Sequence, residues 1–91
     1  MIEYEKIATD KNISLKGKGL FLTMTSLPKG FKFSIKSLSE VNKEGEKSIR
    51  NTLNELIRNG YITRSKILDS SRKFLGYSYS LKQNGGLKWA N

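Results

Sequence analysis

The stretch EGEKSIRNTLNELIRNGYI, residues 44–62, decides the fold that this sequence predicts. Four apolar residues recur at i, i+4, i+7 and i+8, the spacing of one face of an α-helix: Ile49, Leu53, Leu56 and Ile57. Glu46 lies at the positive end of the helix dipole, and Asn59-Gly60 is typical of a helix C-cap. The stretch therefore predicts an amphipathic helix from about Glu46 to Arg58, with Leu53 fully buried.

The opposite face of this helix carries groups that can read DNA bases: Lys47, Ser48, Arg50, Asn51 and Asn54. In the major groove, Arg and Lys pair with O6 and N7 of guanine, and Asn pairs with N6 and N7 of adenine. Taken alone, such a face is more typical of a helix exposed to water. The interpretation of this face as a DNA-reading surface therefore depends on the helices and strands predicted around it.

Two helices are predicted upstream. Ser14 is a good N-cap for the first, which runs to about Leu27 before Pro28, with apolar positions Leu15, Leu20, Phe21, Met24 and Leu27. Gly17 and Gly19 lower its helix propensity and suggest close packing against another element. Ser34 caps the second helix, which ends near Asn42 and turns three residues inward: Ile35, Leu38 and Val41.

The connecting and flanking segments complete the pattern. Phe31 and Phe33 suggest a short extended segment that enters the core, and residues 42–45 form a turn in which Gly45 is free to adopt a positive φ. Residues 61–68 and 74–81 are rich in β-branched and aromatic residues and predict two strands around a tip at 69–73. The weak alternation of residues 2–8 is compatible with a short edge strand.

Three helices followed by a hairpin form the α+β plan of a winged helix-turn-helix domain. Residues 1–82 are assigned to this domain, with the hairpin as its wing, and residues 83–91 to a loose tail in which Trp89 is expected to fold back on the core. Further DNA contacts are expected at the second helix, the turn and the wing tip: Ser34, Lys36, Lys43, Arg72 and Lys73. Lys16 and Lys18 could contact the flanking DNA backbone, but their side chains are expected to be solvated instead.

The charge balance points to a nucleic-acid partner. Seventeen Lys and Arg residues stand against eight Asp and Glu, which gives a net charge of +9. Such an excess is the electrostatic footprint of a nucleic-acid binder, although a Lys-rich soluble surface also produces it. The sequence has no Cys and no His, which excludes disulfides, finger-type zinc sites and catalysis by those side chains.

No paired carboxylates, nucleophile–base spacing or phosphate-binding loop indicate an enzyme, so no catalytic residue, metal or cofactor is predicted. The start of the chain is acidic rather than apolar, and no run approaches about 18 apolar residues. We therefore expect a cytoplasmic protein with no membrane partner.

Four segments resemble the helix-turn-helix domain of phage and plasmid replication-initiation proteins: residues 10–20 (DKNISLKGKGL), 27–35 (LPKGFKFSI), 44–50 (EGEKSIR) and 53–62 (LNELIRNGYI). The first is the more telling, and the last occurs in many winged helices. Ser48-Ile49-Arg50 is also similar to the reading helix of GntR-type repressors, which implies DNA contacts for Ser48 and Arg50. Proteins of both families usually continue into a second domain. The resemblance therefore implies that this chain is either a stand-alone phage or plasmid protein or a fragment of a longer one.

The resemblance implies sequence-specific binding of double-stranded DNA in replication initiation or transcriptional regulation, in a bacterial cell. A replication or host protein and a homodimer on DNA are compatible partners. The alternative is a winged-helix protein-interaction module, such as a small phage protein that binds or inhibits a host protein. The basic charge disfavours this alternative, and an exposed Tyr4 or Trp89 would favour it. RNA binding would require exposed aromatic residues on a sheet face.

Overall fold

The computed structural model describes residues 4–82, which form an α+β structure of four helices and one two-stranded antiparallel sheet. The elements follow in the order α1 (Tyr4–Ala8), α2 (Leu15–Ser26), α3 (Ile35–Glu40), α4 (Glu46–Arg58), β1 (Ile62–Leu68) and β2 (Phe74–Leu81). The tail and Trp89 lie outside the described residues, as do residues 1–3. None of the helices in residues 4–82 has the length and apolar character needed to cross a membrane.

The expected N-terminal edge strand is wrong, because Tyr4–Ala8 is a helix. Its two anchoring residues lie three apart, which is helical spacing. Ile7 is buried in the core, and the Tyr4 hydroxyl donates a hydrogen bond to Thr25 Oγ1 at 3.2 Å. Packing against α2 therefore overrides the weak alternation of this segment.

The α2 helix begins as predicted, with the Ser14 hydroxyl accepting a hydrogen bond from the Gly17 N–H at 3.1 Å. Leu20, Phe21 and Met24 form its buried face. Leu15, the apolar position that does not share the helical spacing of the others, is 85% exposed. Five residues at about 100° each place Leu15 roughly 140° away from Leu20 around the helix axis.

The α3 helix is fixed by a reciprocal cap. Ser34 Oγ accepts from the Ser37 N–H at 3.0 Å, and Ser37 Oγ accepts from the Ser34 N–H at 2.9 Å. Leu38 is fully buried, but the prediction that Val41 faces inward is wrong, since Val41 is 46% exposed. The helix ends at Glu40, and Val41 is already the C-cap, so the i+6 position no longer follows the helical face.

The α4 helix confirms the predicted bounds and core face, with Leu53 and Leu56 fully buried. Gly45 does not adopt the positive φ that was open to it: this residue is the N-cap, with φ −80° and ψ 177°, because N-cap residues take extended backbone. The positive φ lies instead at Gly60 (+82°), after the C-cap. There the N–H groups of Gly60 and Tyr61 donate to the carbonyls of Ile57 and Leu56, at 3.1 and 2.9 Å, in a Schellman motif.

The core lies where α4 packs against α2, α3 and β1. Phe33 extends the sheet by a single bridge, because the Tyr79 N–H donates to the Phe33 carbonyl at 3.2 Å. The hairpin is anchored at its base by Ile62 and Tyr79, both buried, whereas Thr63 to Leu68 are exposed. Most of β1 therefore projects beyond the core.

Candidate nucleic-acid interface

A shallow groove runs between the N-terminal end of α2 and the outer face of α4. We call it the α2–α4 groove. It is lined by Ser14, Lys16, Gly45, Lys47, Ser48, Asn51, Thr52, Glu55 and Arg58. Three of these residues are cationic and one is acidic. The lining therefore combines positive charge with hydroxyl and amide groups that can bind phosphates or base edges.

Lys16 belongs to this groove, although the sequence favours a solvated role for it. Its ammonium group donates a hydrogen bond to Ser48 Oγ at 3.4 Å, which joins the first turn of α2 to the first turn of α4. The two residues are 32 positions apart in the chain. No local spacing reveals such a pair, because it depends on how α2 crosses α4.

Glu55 is the acidic residue of the groove, and its carboxylate is engaged by the cap of α2. Glu55 Oε2 accepts from the Ser14 N–H at 2.9 Å, and Oε1 accepts from the Ser14 hydroxyl at 2.7 Å. Because the same hydroxyl accepts from the Gly17 N–H, the carboxylate, the cap and the first turn of α2 form one network. The single acid in the lining therefore has a structural role.

Gly17 makes this approach feasible. A Cβ atom at this position would lie 2.8 Å from Glu55 Oε1 and 2.8 Å from Ile13 Cγ2, well inside normal contact distance. Gly19, by contrast, has open space where its Cβ would be. The close packing that the sequence suggests for both glycines is therefore present at Gly17 alone of the two.

The predicted residues of α4 divide between two flanks. Lys47, Ser48 and Asn51 line the α2–α4 groove, whereas Arg50 and Asn54 are not part of its lining. Ser48 and Arg50 are two positions apart, which is about 200° around the helix axis. The pair that resembles the GntR-type reading helix is therefore split across the two sides of α4, with exposed Arg50 on the far flank.

The other predicted contacts lie outside the groove lining. Ser34 is half-buried and its hydroxyl is occupied by the cap of α3, whereas Lys36 and Lys43 are exposed on α3 and in the turn before α4. Arg72 and Lys73 are exposed at the hairpin tip. The structure thus brings together three predicted residues, and adds Lys16 and Arg58 to them.

The hairpin tip that carries Arg72 and Lys73 is held by Asp69. Asp69 Oδ1 accepts from the N–H groups of Lys73 and Ser71, at 2.8 and 2.9 Å, and from the Ser71 hydroxyl at 2.8 Å. These bonds, led by the one from the Lys73 backbone, lower the pKa of Asp69. Arg72 adopts a φ of +68°, so its side chain leaves the tip from left-handed backbone.

A long-range hydrogen bond also joins the segment before α2 to the base of the hairpin. The Tyr61 hydroxyl donates to Asp10 Oδ2 at 2.6 Å. Burial, followed by this hydrogen bond, raises the pKa of Tyr61 to about 12, and the same bond lowers the pKa of Asp10. The Tyr61 ring also packs edge-on against Phe21 at 5.7 Å, so β1 leaves the core from a fixed point.

Metal ligation has no support in the described part of the chain, where no cluster of three or more His, Cys, Asp or Glu side chains occurs. A scan against protein-family models, a search of curated proteins and a search of solved structures each gave no match to this chain. The resemblance to replication-initiation and GntR-type domains stays a prediction from the residues quoted above.

Proposed function

We propose that this chain is a winged helix-turn-helix domain that binds double-stranded DNA, with α4 in the major groove and the β1–β2 hairpin as its wing. The proposal rests on the α2–α4 groove, in which Lys16, Lys47 and Arg58 face a carboxylate already bound by Ser14. With three cations and one carboxylate, the lining keeps a net positive charge. The major groove, about 12 Å wide, admits one helix with such a surface.

The arrangement of elements supports this docking mode. In helix-turn-helix complexes the N-terminal residues of the second helix of the motif contact base edges, while the first helix crosses the backbone. Here α3 and α4 are joined by residues 41–45, and the exposed residues Lys47, Arg50 and Asn51 lie in the first turns of α4. A role in replication initiation or in transcriptional regulation is part of the same proposal.

A salt titration of duplex binding tests the proposal, with fluorescence anisotropy of a labelled random duplex as the readout. If about four to six phosphates are neutralised, log K against log[salt] should have a slope of roughly −4 to −5. Lys16→Gln and Lys47→Gln should each flatten it by about 0.9. Lys29→Gln is the matched control, because exposed Lys29 lies beyond the opposite end of α2. A flat response, or equal effects of all three variants, would contradict the proposal.

A protein-interaction module is the second candidate, favoured by exposed apolar side chains that are not part of the lining of the α2–α4 groove. Leu15 and Leu22 are 85% and 53% exposed, and their spacing of seven places them on one side of α2. Tyr4, on the adjacent α1, is 44% exposed. Leu22→Gln should leave duplex binding unchanged, and should abolish capture of a protein partner if this side of α2 is an interface.

A further inference from the structure

The projecting hairpin has a face whose aromatic rings the proposed duplex contacts do not use. A depression on this face is lined by Lys66, Leu68, Arg72, Phe74 and Tyr77. The strand register explains why they meet: Lys66 pairs with Tyr77 and Leu68 pairs with Phe74 across the antiparallel ladder. The irregularity between Ile67 and Leu68 shifts the register there and keeps Phe74 on the same face as Tyr77.

Three flat groups contact one another along this face. The Arg64 guanidinium lies 4.2 Å from the centroid of the Tyr77 ring, and the Phe74 ring lies 5.1 Å from that ring at an interplanar angle of 68°. Such contacts favour these orientations of the guanidinium and of both rings. Phe74 nevertheless remains 49% exposed. The face therefore offers a pre-oriented aromatic surface to solvent.

The charge around these rings is strongly positive. The hairpin from Ile62 to Leu81 contains four cationic residues and one acid: Arg64, Lys66, Arg72, Lys73 and Asp69. One oxygen of the Asp69 carboxylate already accepts three hydrogen bonds that shape the tip. A ligand that is anionic and also presents flat apolar surfaces therefore fits this face.

We infer that this face of the hairpin binds unpaired nucleotides of single-stranded DNA, with Phe74 as the stacking platform and Lys66 and Arg72 at the phosphates. Unpaired bases expose π-faces that stack on aromatic side chains, while their backbone requires cations alongside. A duplex offers base edges and phosphates, but its base faces are already stacked on each other. The exposed ring of Phe74 thus matches a single strand better than a duplex.

This surface is separate from the α2–α4 groove, and the inference does not depend on duplex binding by α4. The two surfaces share no lining residue. Substitution of Phe74 or Lys66 should therefore leave the α2–α4 groove intact, whereas Arg72 is shared with the duplex contacts expected at the hairpin tip. If both surfaces are active, the chain can hold a duplex and an adjacent unpaired strand together, and a duplex with a single-stranded overhang should bind more tightly than a blunt one.

The test measures binding of the full chain to a labelled oligothymidine of about 15 nucleotides, a length within reach of one small binding domain. Phe74→Leu keeps an apolar side chain but removes the ring, and should weaken binding by about 5-fold to 150-fold, which corresponds to the loss of one stacked base. Leu75→Ala is the matched control. Leu75 is the more exposed neighbour, at 61%, and is not one of the lining residues of the depression, so its loss should change binding less than about twofold.

Two further measurements report stacking and charge separately. The quenching that protein binding adds to a 2-aminopurine in the oligonucleotide should be lost in Phe74→Leu. Neighbouring bases also quench this base, so only the part added by the protein reports contact with the Phe74 ring. Lys66→Gln should flatten the salt slope on oligothymidine by about 0.7. Circular dichroism of each variant checks that the fold is kept. Lys47→Gln, in the α2–α4 groove, should weaken binding of blunt duplex and leave oligothymidine binding unchanged.

Several results would overturn the inference. Unchanged oligothymidine affinity and quenching in Phe74→Leu would do so, as would equal losses on oligothymidine and blunt duplex. Binding of oligouridine in place of oligothymidine would assign the face to RNA. Self-association, or binding to vesicles of anionic lipid, that depends on Phe74 while oligothymidine binding does not, would assign the face to a second copy or to a membrane surface.

Discussion

At the scale of the residue, Gly17 and Gly19 show how two chemically identical positions on one helix acquire opposite constraints. Both are interior positions of α2, where alanine normally stabilises a helix by about 1 kcal/mol relative to glycine. Gly17 faces Ile13 and the Glu55 carboxylate, whereas Gly19 faces open space. Sequence spacing cannot tell them apart, because the difference arises from α4.

Gly19→Ala should therefore raise the free energy of unfolding by about 0.5–1 kcal/mol. Gly17→Ala should lower it, because the new methyl group displaces Glu55 from Ser14 and breaks hydrogen bonds worth about 1 kcal/mol each or more. Urea unfolding followed by circular dichroism measures both values. A stability gain in Gly17→Ala equal to that in Gly19→Ala would show that Glu55 moves aside without loss.

At the scale of the element, we expect α4 to contact base edges and the hairpin tip to contact phosphates. Arg50 and Asn51 lie in the first turns of α4 and are exposed, whereas Arg72 and Lys73 lie on a tip shaped by Asp69. Base edges carry sequence information and phosphates do not. Contacts from the two elements should therefore respond differently to the DNA sequence.

Arg50→Ala and Asn51→Ala should each cost about 1–3 kcal/mol on a cognate site selected from a random library, and much less on random duplex. Arg72→Gly and Lys73→Ala should weaken both by similar factors and flatten the salt slope by about one unit per lost contact. Glycine is the better substitution for Arg72, because alanine disfavours its φ of +68°. Equal losses on cognate and random duplex for the α4 variants would mean that these residues only position the helix.

At the scale of the whole molecule, the hydrogen bond between Tyr61 and Asp10 ties the segment before α2 to the base of the hairpin across 51 positions of sequence. The pKa of Tyr61 is raised from 10.0 to about 12, mainly by burial and then by this bond. The neutral phenol is therefore favoured in the folded state. Its contribution to stability is fully present below pH 10 and is lost as the pH rises towards 12.

The free energy of unfolding should consequently fall between about pH 10 and pH 12. Tyr61→Phe should lower stability at neutral pH and reduce this alkaline decline, since no phenol remains to ionise. Asp10→Asn should leave most of the decline, because burial is the larger cause of the shift. Urea unfolding at a series of pH values measures the effect, and an alkaline decline of the same size in Tyr61→Phe would assign it to another group.

The sequence alone determined the elements whose signals are local. The apolar stripe of α4 predicted its bounds and the burial of Leu53, and Ser14 and Ser34 predicted the starts of α2 and α3. The two strands and their turn followed from β-branched and aromatic residues around a polar tip. Helical and strand periodicities are properties of neighbouring residues, so they are visible without any knowledge of packing.

Only the tertiary structure decided which residues meet across the chain. It made residues 4–8 a helix by packing Ile7 into the core, placed Lys16 beside Ser48, and made Glu55, an acid on the outer face of α4, a partner of Ser14. It also grouped Arg64, Tyr77 and Phe74 on one face of the hairpin. These contacts depend on helix crossing and strand register, which are set by burial of the whole core. The spacing of neighbouring residues in the sequence does not reveal either of them.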